Sequence, residues 1–176
     1  MASITIWLKR ARRLFANRCA DARDVRAALP PAALERLAAR VSASERQHAG
    51  EIRLCVEGGL PWSYIRRDAT ARDRALTLFG KLRVWDTEHN NGVLIYLLMA
   101  EHAIELIADR GLSARIGQEY WAKIAAELGQ TLAERRFEEG LTHAVDALTA
   151  LLAAHFPRDG GAARPNELPD APVVLG

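Results

Sequence analysis

Oxygen-bearing side chains are concentrated in two short polar stretches that lie on either side of a strongly apolar segment. One stretch spans residues 86–92, and the other begins at residue 109. Carboxylate and carboxamide oxygens are the ligands that hard cations prefer in proteins. We therefore predict a site for Ca²⁺ or Mg²⁺, whose candidate metal ligands are Asp86, Glu88, Asn90, Asn91 and Asp109.

Two basic side chains accompany these oxygens. His89 lies within the first stretch, and Arg110 directly follows Asp109. An arginine beside carboxylates can orient a phosphate or simply neutralise its neighbours. The alternative is that these residues have only a structural role in the loops. Asn and Asp side chains also stabilise turns, and no ligand spacing here is diagnostic.

The flanking hydrophobic patterns explain why the two stretches should meet. Residues 51–57 alternate as a half-buried strand, and Thr70 with Asp73 has the spacing that caps a following helix. Val93–Met99 is a continuous apolar run typical of a central strand, and Ala103–Asp109 is its hairpin partner.

Chain topology then fixes which strand ends lie together. A strand–helix–strand unit is expected to be parallel, and a hairpin reverses the direction of the third strand. The polar loop before the second strand should therefore meet the end of the third strand, with Glu51 nearby as a further oxygen donor. The predicted fold class is α/β, with a small mixed sheet (a parallel strand pair plus an antiparallel hairpin) sandwiched between helices.

Composition restricts the classes of protein that fit. The 176 residues carry a formal net charge of +2, which gives no reason to expect nucleic-acid binding. Cys19 and Cys55 match no metal or redox spacing, so we expect two reduced thiols. The N-terminal stretch has its short apolar run ahead of its basic residues, the reverse of a secretory signal, and the expected location is cytoplasmic.

The termini carry two further predictions. Ile4–Cys19 reads as a basic amphipathic helix, which either docks on the core through Trp7, Ala11, Leu14 and Phe15 or contacts a membrane surface weakly. We expect residues 1–50 to form N-terminal helices packed on a domain at 51–157, and 158–176 to form a flexible Gly/Pro-rich tail. Val173–Leu175 within that tail either adds to an exposed sheet edge or is disordered.

Several runs, taken in order, resemble the TPM domain family. They are NNGVLIYLL, IADRGL, IGQEYWAKIAAEL and RRFEEGLTHAVDALTALLAAHFP, and the resemblance covers about Ile52 to Pro157. It implies a compact α/β sandwich. Some relatives in the thylakoid lumen are acid phosphatases linked to photosystem repair, others are divalent-cation-binding modules, and others are parts or accessory subunits of membrane proteins. The family's recurrent polar positions fall here on Asn90, Asn91, Asp109 and Gly111, with an acidic position at Asp86.

Three functions follow from the resemblance and the residues together. The first is a divalent-cation-binding interaction module with a stress or repair role and an unknown protein partner. The second is a metal-assisted, acid phosphatase-like hydrolase acting on a phosphorylated substrate, with candidate catalytic residues Asp86, His89, Asp109 and Arg110. The third is a peripheral membrane-associated accessory protein. We expect neither the signal peptide nor the C-terminal membrane segment common among relatives, and Arg110 stands where many of them have a small or aromatic residue.

Overall fold

A computed structural model describes residues 2–158 and 166–176, with side chains from residue 11 onward. The strands are β1 (Glu51–Glu57), β2 (Gly92–Leu98), β3 (Ala103–Ala108) and β4 (Val173–Leu175). The helices are α1 (Ala2–Cys19), α2 (Ala22–Ala28), α3 (Pro31–Glu45), α4 (Trp62–Arg66), α5 (Ala71–Lys81), α6 (Arg110–Ser113), α7 (Gln118–Ala133) and α8 (Phe137–His155). A 3₁₀ turn at Met99–Glu101 joins β2 to β3.

The sheet has the predicted mixed topology, with strand order β3-β2-β1-β4. β1 and β2 are parallel, with Glu51 opposite Gly92, and β2 and β3 are antiparallel, with Val93 opposite Ala108. The start of β1, the start of β2 and the finish of β3 therefore lie at one end of the sheet. This confirms the predicted fold class.

Helices cover both faces of the sheet. Buried side chains of α2, α3, α7 and α8 pack on one face, against the face of β1 and β2 that carries Ile52, Leu54 and Ile95. α4 and α5 pack on the other face, against Cys55 and Tyr96. The expectation of a half-buried β1 was wrong: all seven of its residues are buried, because α5 covers the face that the alternation assigned to solvent.

Local signals set several helix boundaries. Thr70 and Asp73 form the predicted capping box of α5, and Pro31 is the first residue of α3. The short helix α2 was not predicted, although Asp21 and Asp24 form a capping box there too. Seven residues are too few for a clear helical period to appear in the sequence.

The N-terminal helix docks on the domain, but not through the aromatic side chain that was predicted to hold it. The Trp7 side chain lies outside the described residues, and Phe15 is 72% exposed, so docking through Phe15 was wrong. Instead Asn17, which is buried, accepts a hydrogen bond from Leu60 N at 2.7 Å and donates to Glu101 at 2.8 Å. Arg13 also donates to Glu101, at 2.8 Å. Polar side chains therefore attach α1 to the domain, and the Phe15 ring remains exposed to solvent.

The C-terminal segment contributes the outer strand. β4 pairs in parallel with β1 through Cys55–Val173 and Glu57–Leu175, so the edge-strand alternative is the one observed. Arg53 supports the segment by donating to the carbonyl of Ala171 at 2.7 Å and to that of Pro169. No helix within the described residues is long and apolar enough to cross a membrane.

Candidate site at the start of β2 and the end of β3

The topology brings the two predicted polar stretches into direct backbone contact. Asp109 N donates to Gly92 O at 2.9 Å, and Gly111 N donates to Asn90 O at 3.0 Å. A Cβ on Gly111 would lie 2.5 Å from Asn90 O and 2.9 Å from His89 O. Glycine is therefore required at this position by the close approach of the loop, and not by positive φ.

Asp109 is the most constrained of the candidate residues. It is 7% exposed and caps α6, with its Oδ1 accepting from Arg110 N at 2.6 Å. Its Oδ2 is buried and has no hydrogen-bond partner among the described residues. A buried carboxylate oxygen left in this state is energetically costly. Asp109 therefore has one carboxylate oxygen whose bonding within the described residues is incomplete.

Asn91 repeats this pattern on the neighbouring loop. The residue is buried, its backbone N–H donates to Thr87 Oγ1 at 3.1 Å, and its Nδ2 donates to Ala49 O at 2.8 Å. Its Oδ1 is buried and, within residues 2–158 and 166–176, has no partner. The side chain thus tethers the loop to the segment before β1 while one oxygen stays unbonded.

The other predicted site residues lie on the surface of the same loop. Asp86 is ion-paired with Arg83, and Glu88 N donates to Glu167 Oε2 at 2.9 Å. The side chains of Asp86, Glu88, His89, Asn90 and Arg110 are exposed. In the part of the chain that the structure describes, no three His, Cys, Asp or Glu side chains form a group that could hold a metal. A cation here would need amide or backbone oxygens, or movement of the exposed acids.

A second group of carboxylates lies beside this site at the start of β1. Glu45 accepts from Ile52 N at 2.9 Å, and Glu51 accepts from Leu168 N at 3.3 Å. Burial raises the pKa of Glu45 to about 9 and that of Glu51 to about 7, and nearby Asp170 adds to both shifts. Both residues line a cleft of about 150 Å³. Sequence reasoning named Glu51 but missed Glu45, whose position in a polar run gave no sign that it would be covered.

A buried Ser–His pair lies against the same cleft. Ser44 Oγ is 2.8 Å from His48 Nε2, and His48 Nδ1 is 3.0 Å from the Gly50 carbonyl. Burial lowers the pKa of His48 to about 4, which keeps the imidazole neutral. Ser44 is only 2% exposed and also contacts Thr149 Oγ1 at 2.6 Å, so the pair stabilises the packing of α3 on α8 and does not present a nucleophile.

A mixed sheet between two helix layers, with polar loops meeting at one end, matches a known class of domain. The family model described as TPM domain matches residues 23–151, and the chain belongs to that family. The match extends the resemblance toward the N-terminus to include α2 and α3. The placement of the domain start at residue 51 stays a prediction.

Comparison with solved structures gives the same architecture. The NMR structure of the BA42 protein from the psychrophilic bacterium Bizionia argentinensis superposes with a TM-score of 0.73, at 22% sequence identity. The similarity covers 83% of this chain and 94% of BA42. At that identity the likeness shows the fold alone. No curated protein matches this chain.

Proposed function

We propose that this TPM domain protein is a divalent-cation-binding module in which Asp109 and the Asp86–Gly92 loop hold Ca²⁺ or Mg²⁺. The observation that carries the proposal is the buried Asp109 Oδ2, which lacks a hydrogen-bond partner among the described residues. A hard cation would satisfy this oxygen, and the surrounding donors are of the oxygen type that such cations take.

The exposed acidic side chains of the loop can move to complete such a site with little loss of free energy. Asp86 is held by Arg83, three residues earlier on the surface, and exposed ion pairs contribute at most about 1 kcal/mol. Asp86 can therefore exchange Arg83 for a cation. The His89 and Asn90 carbonyls already face Gly111, next to Asp109. Binding would then link the loop before β2 to the end of β3 and order the surface offered to a protein partner.

Thermal unfolding with and without Ca²⁺ or Mg²⁺, after chelation, tests this proposal. A ligand bound only by the folded protein at about 100 times its Kd stabilises by about 2.7 kcal/mol. For a domain of this size we expect Tm to rise by roughly 5–10 °C. Asp109→Asn should abolish the rise, because asparagine keeps the helix cap but loses the charge.

Asp21→Asn is the matched control. Asp21 also caps a helix, but Arg23 N and the Arg23 guanidinium already occupy its two carboxylate oxygens. This variant should keep the full cation-dependent rise in Tm. A melting curve unchanged by millimolar Ca²⁺ and Mg²⁺, or an Asp109→Asn variant that keeps the rise, contradicts the proposal.

A phosphatase-like hydrolase is the second candidate, and it is favoured by the exposed Arg110 beside Asp109. Arg110 would bind the phosphate, and His89, on the loop that contacts Gly111, would move a proton. A bound cation would supply polarisation of a phosphoryl oxygen. Turnover of a phosphomonoester by the purified protein, dependent on Mg²⁺ or Ca²⁺ and lost in Asp109→Ala, is the expected result. Full activity of that variant contradicts this mechanism.

A further inference from the structure

The N-terminal helix and the short helix α4 leave two large aromatic side chains in solvent, side by side. Phe15 is 72% exposed and Trp62 is 60% exposed. Both line one groove of about 660 Å³, whose other walls are Ala11, Leu14 and Arg18. A contiguous apolar surface of this kind usually marks an interaction site.

Positive charge predominates around the two rings. α1 contains five basic residues and no acidic ones, as its sequence ASITIWLKRARRLFANRC shows. Arg12 and Arg18 each lie three residues from Phe15, and Arg66 lies one turn after Trp62, so exposed guanidinium groups flank both rings. The nearby acids Asp68 and Glu101 are held by Arg13.

From this arrangement we propose that the Phe15–Trp62 face docks on an anionic membrane surface, with the two rings entering the interface and the arginines contacting lipid headgroups. Tryptophan and phenylalanine beside arginine suit the boundary between headgroups and acyl chains. A symmetric contact with a second copy is disfavoured, since it would bring two strongly basic helices together. The inference is independent of the proposed cation site, which lies at the opposite end of the sheet.

The position of the face in the fold supports docking without rearrangement. Trp62 follows the loop after β1, whereas the cation candidates precede β2 and follow β3. α1 is fixed to the domain by Asn17 and Arg13, which face inward, while Phe15 faces out. Docking would therefore leave the Asp86–Gly92 loop directed away from the lipid, open to a partner.

Vesicle co-sedimentation of the full chain tests the inference. The probes are vesicles of phosphatidylcholine with phosphatidylglycerol and vesicles of phosphatidylcholine alone. We expect binding to the first and little binding to the second. Arg18→Gln should weaken binding about fivefold, since one basic residue near an anionic surface contributes about a factor of five. The double variant Phe15→Ser, Trp62→Ser should abolish binding.

Trp85→Ser is the matched control, because Trp85 is a similarly exposed tryptophan (52%) that lies just before the Asp86–Gly92 loop. It should bind anionic vesicles as the unchanged protein does. No binding to anionic vesicles, or equal binding by the double variant with its fold intact by circular dichroism, overturns the inference. So does a concentration-dependent dimer that the double variant abolishes, since the face would then be a self-interface.

Discussion

Each end of the sheet holds a buried carboxylate, and the two are bonded very differently. At the carboxyl end of β1, Glu57 is 2% exposed and accepts three hydrogen bonds of 2.6–3.2 Å from the Arg74 guanidinium. The Tyr96 hydroxyl donates a further bond at 2.6 Å. At the opposite end, Asp109 is 7% exposed, and one of its oxygens has no partner in the described part of the chain.

This difference separates a carboxylate whose bonds all lie within the protein from one that is incompletely bonded among the described residues. Open sheets with parallel strands usually bind ligands at the carboxyl ends of those strands. Here that end is occupied by the Glu57–Arg74–Tyr96 cluster. The Glu57 carboxylate oxygens already accept hydrogen bonds from Arg74 and Tyr96. Among the described residues, the other end has oxygens on Asp109 and Asn91 without a hydrogen-bond partner, so a bound cation there would add bonds instead of breaking them.

The largest expected change in the free energy of unfolding comes from removing the ion pair between Glu57 and Arg74. Arg74→Met leaves the Glu57 carboxylate buried without its countercharge, and we expect the free energy of unfolding to fall by about 3–5 kcal/mol. Urea denaturation measures this change. Arg72→Met on the same helix is the control: it breaks an exposed pair with Glu105 and should cost less than about 1 kcal/mol. Equal losses in the two variants would show that the Glu57–Arg74 pair is not the structural centre of that end.

A pH titration addresses the other end, where Glu45 and Glu51 face Glu167 and Asp170 of the C-terminal segment. Burial raises the pKa of Glu45 to about 9 and that of Glu51 to about 7, from ordinary values of 4.5. The folded protein therefore holds extra protons, and the stability they provide is complete below pH 4.5 and is lost as pH rises through 7 and then 9. We expect a slope of about 1.4 kcal/mol per pH unit for each extra proton.

Glu45→Gln should flatten the upper part of this profile, because glutamine keeps an acceptor for Ile52 N and cannot ionise. Glu127→Gln on the exposed surface of α7 should leave the profile unchanged. Denaturant unfolding measured from pH 5 to pH 9 compares the three proteins. A parallel profile for Glu45→Gln would mean that Glu45 is already ionised across this range in the folded protein, so that its pKa is not raised.

The sequence was sufficient for the relative directions of β1, β2 and β3 and for the meeting of the two polar loops. Both follow from the apolar run of β2, the short turn to β3 and the handedness of strand–helix–strand units. The partners of Glu57 were not predictable, since Arg74 and Tyr96 are related to it by no local spacing and meet only when α5 packs on the sheet. Alternation placed Glu57 in solvent for the same reason.

The sequence was sufficient to predict where the candidate site lies, but not which hydrogen bonds its residues make. Asp109 was named as a ligand from its residue type and its place after β3. Its role as the cap of α6, and the burial of one oxygen, depend on the turn of Gly111 beneath the Asn90 carbonyl. Glu45 is part of this end because α3 ends beside β1, where Ile52 N donates to it, and Asp170 of the C-terminal segment lies near it. No short pattern in the sequence indicates these contacts.

The smallest expected change in the free energy of unfolding is that of Asp109→Asn, and comparing it with Glu57→Gln contrasts the two ends of the sheet directly. In cation-free solution Glu57→Gln should lower the free energy of unfolding by about 1.5–3 kcal/mol, because it removes charge-assisted bonds from Arg74. Asp109→Asn should change it by less than about 0.5 kcal/mol, because asparagine preserves the cap and the lost charge had no cationic partner within the described residues. Chemical denaturation in the presence of a chelator measures both. If Asp109→Asn is as destabilising as Glu57→Gln, the Asp109 carboxylate is part of the fold's own bonding and is not reserved for a ligand.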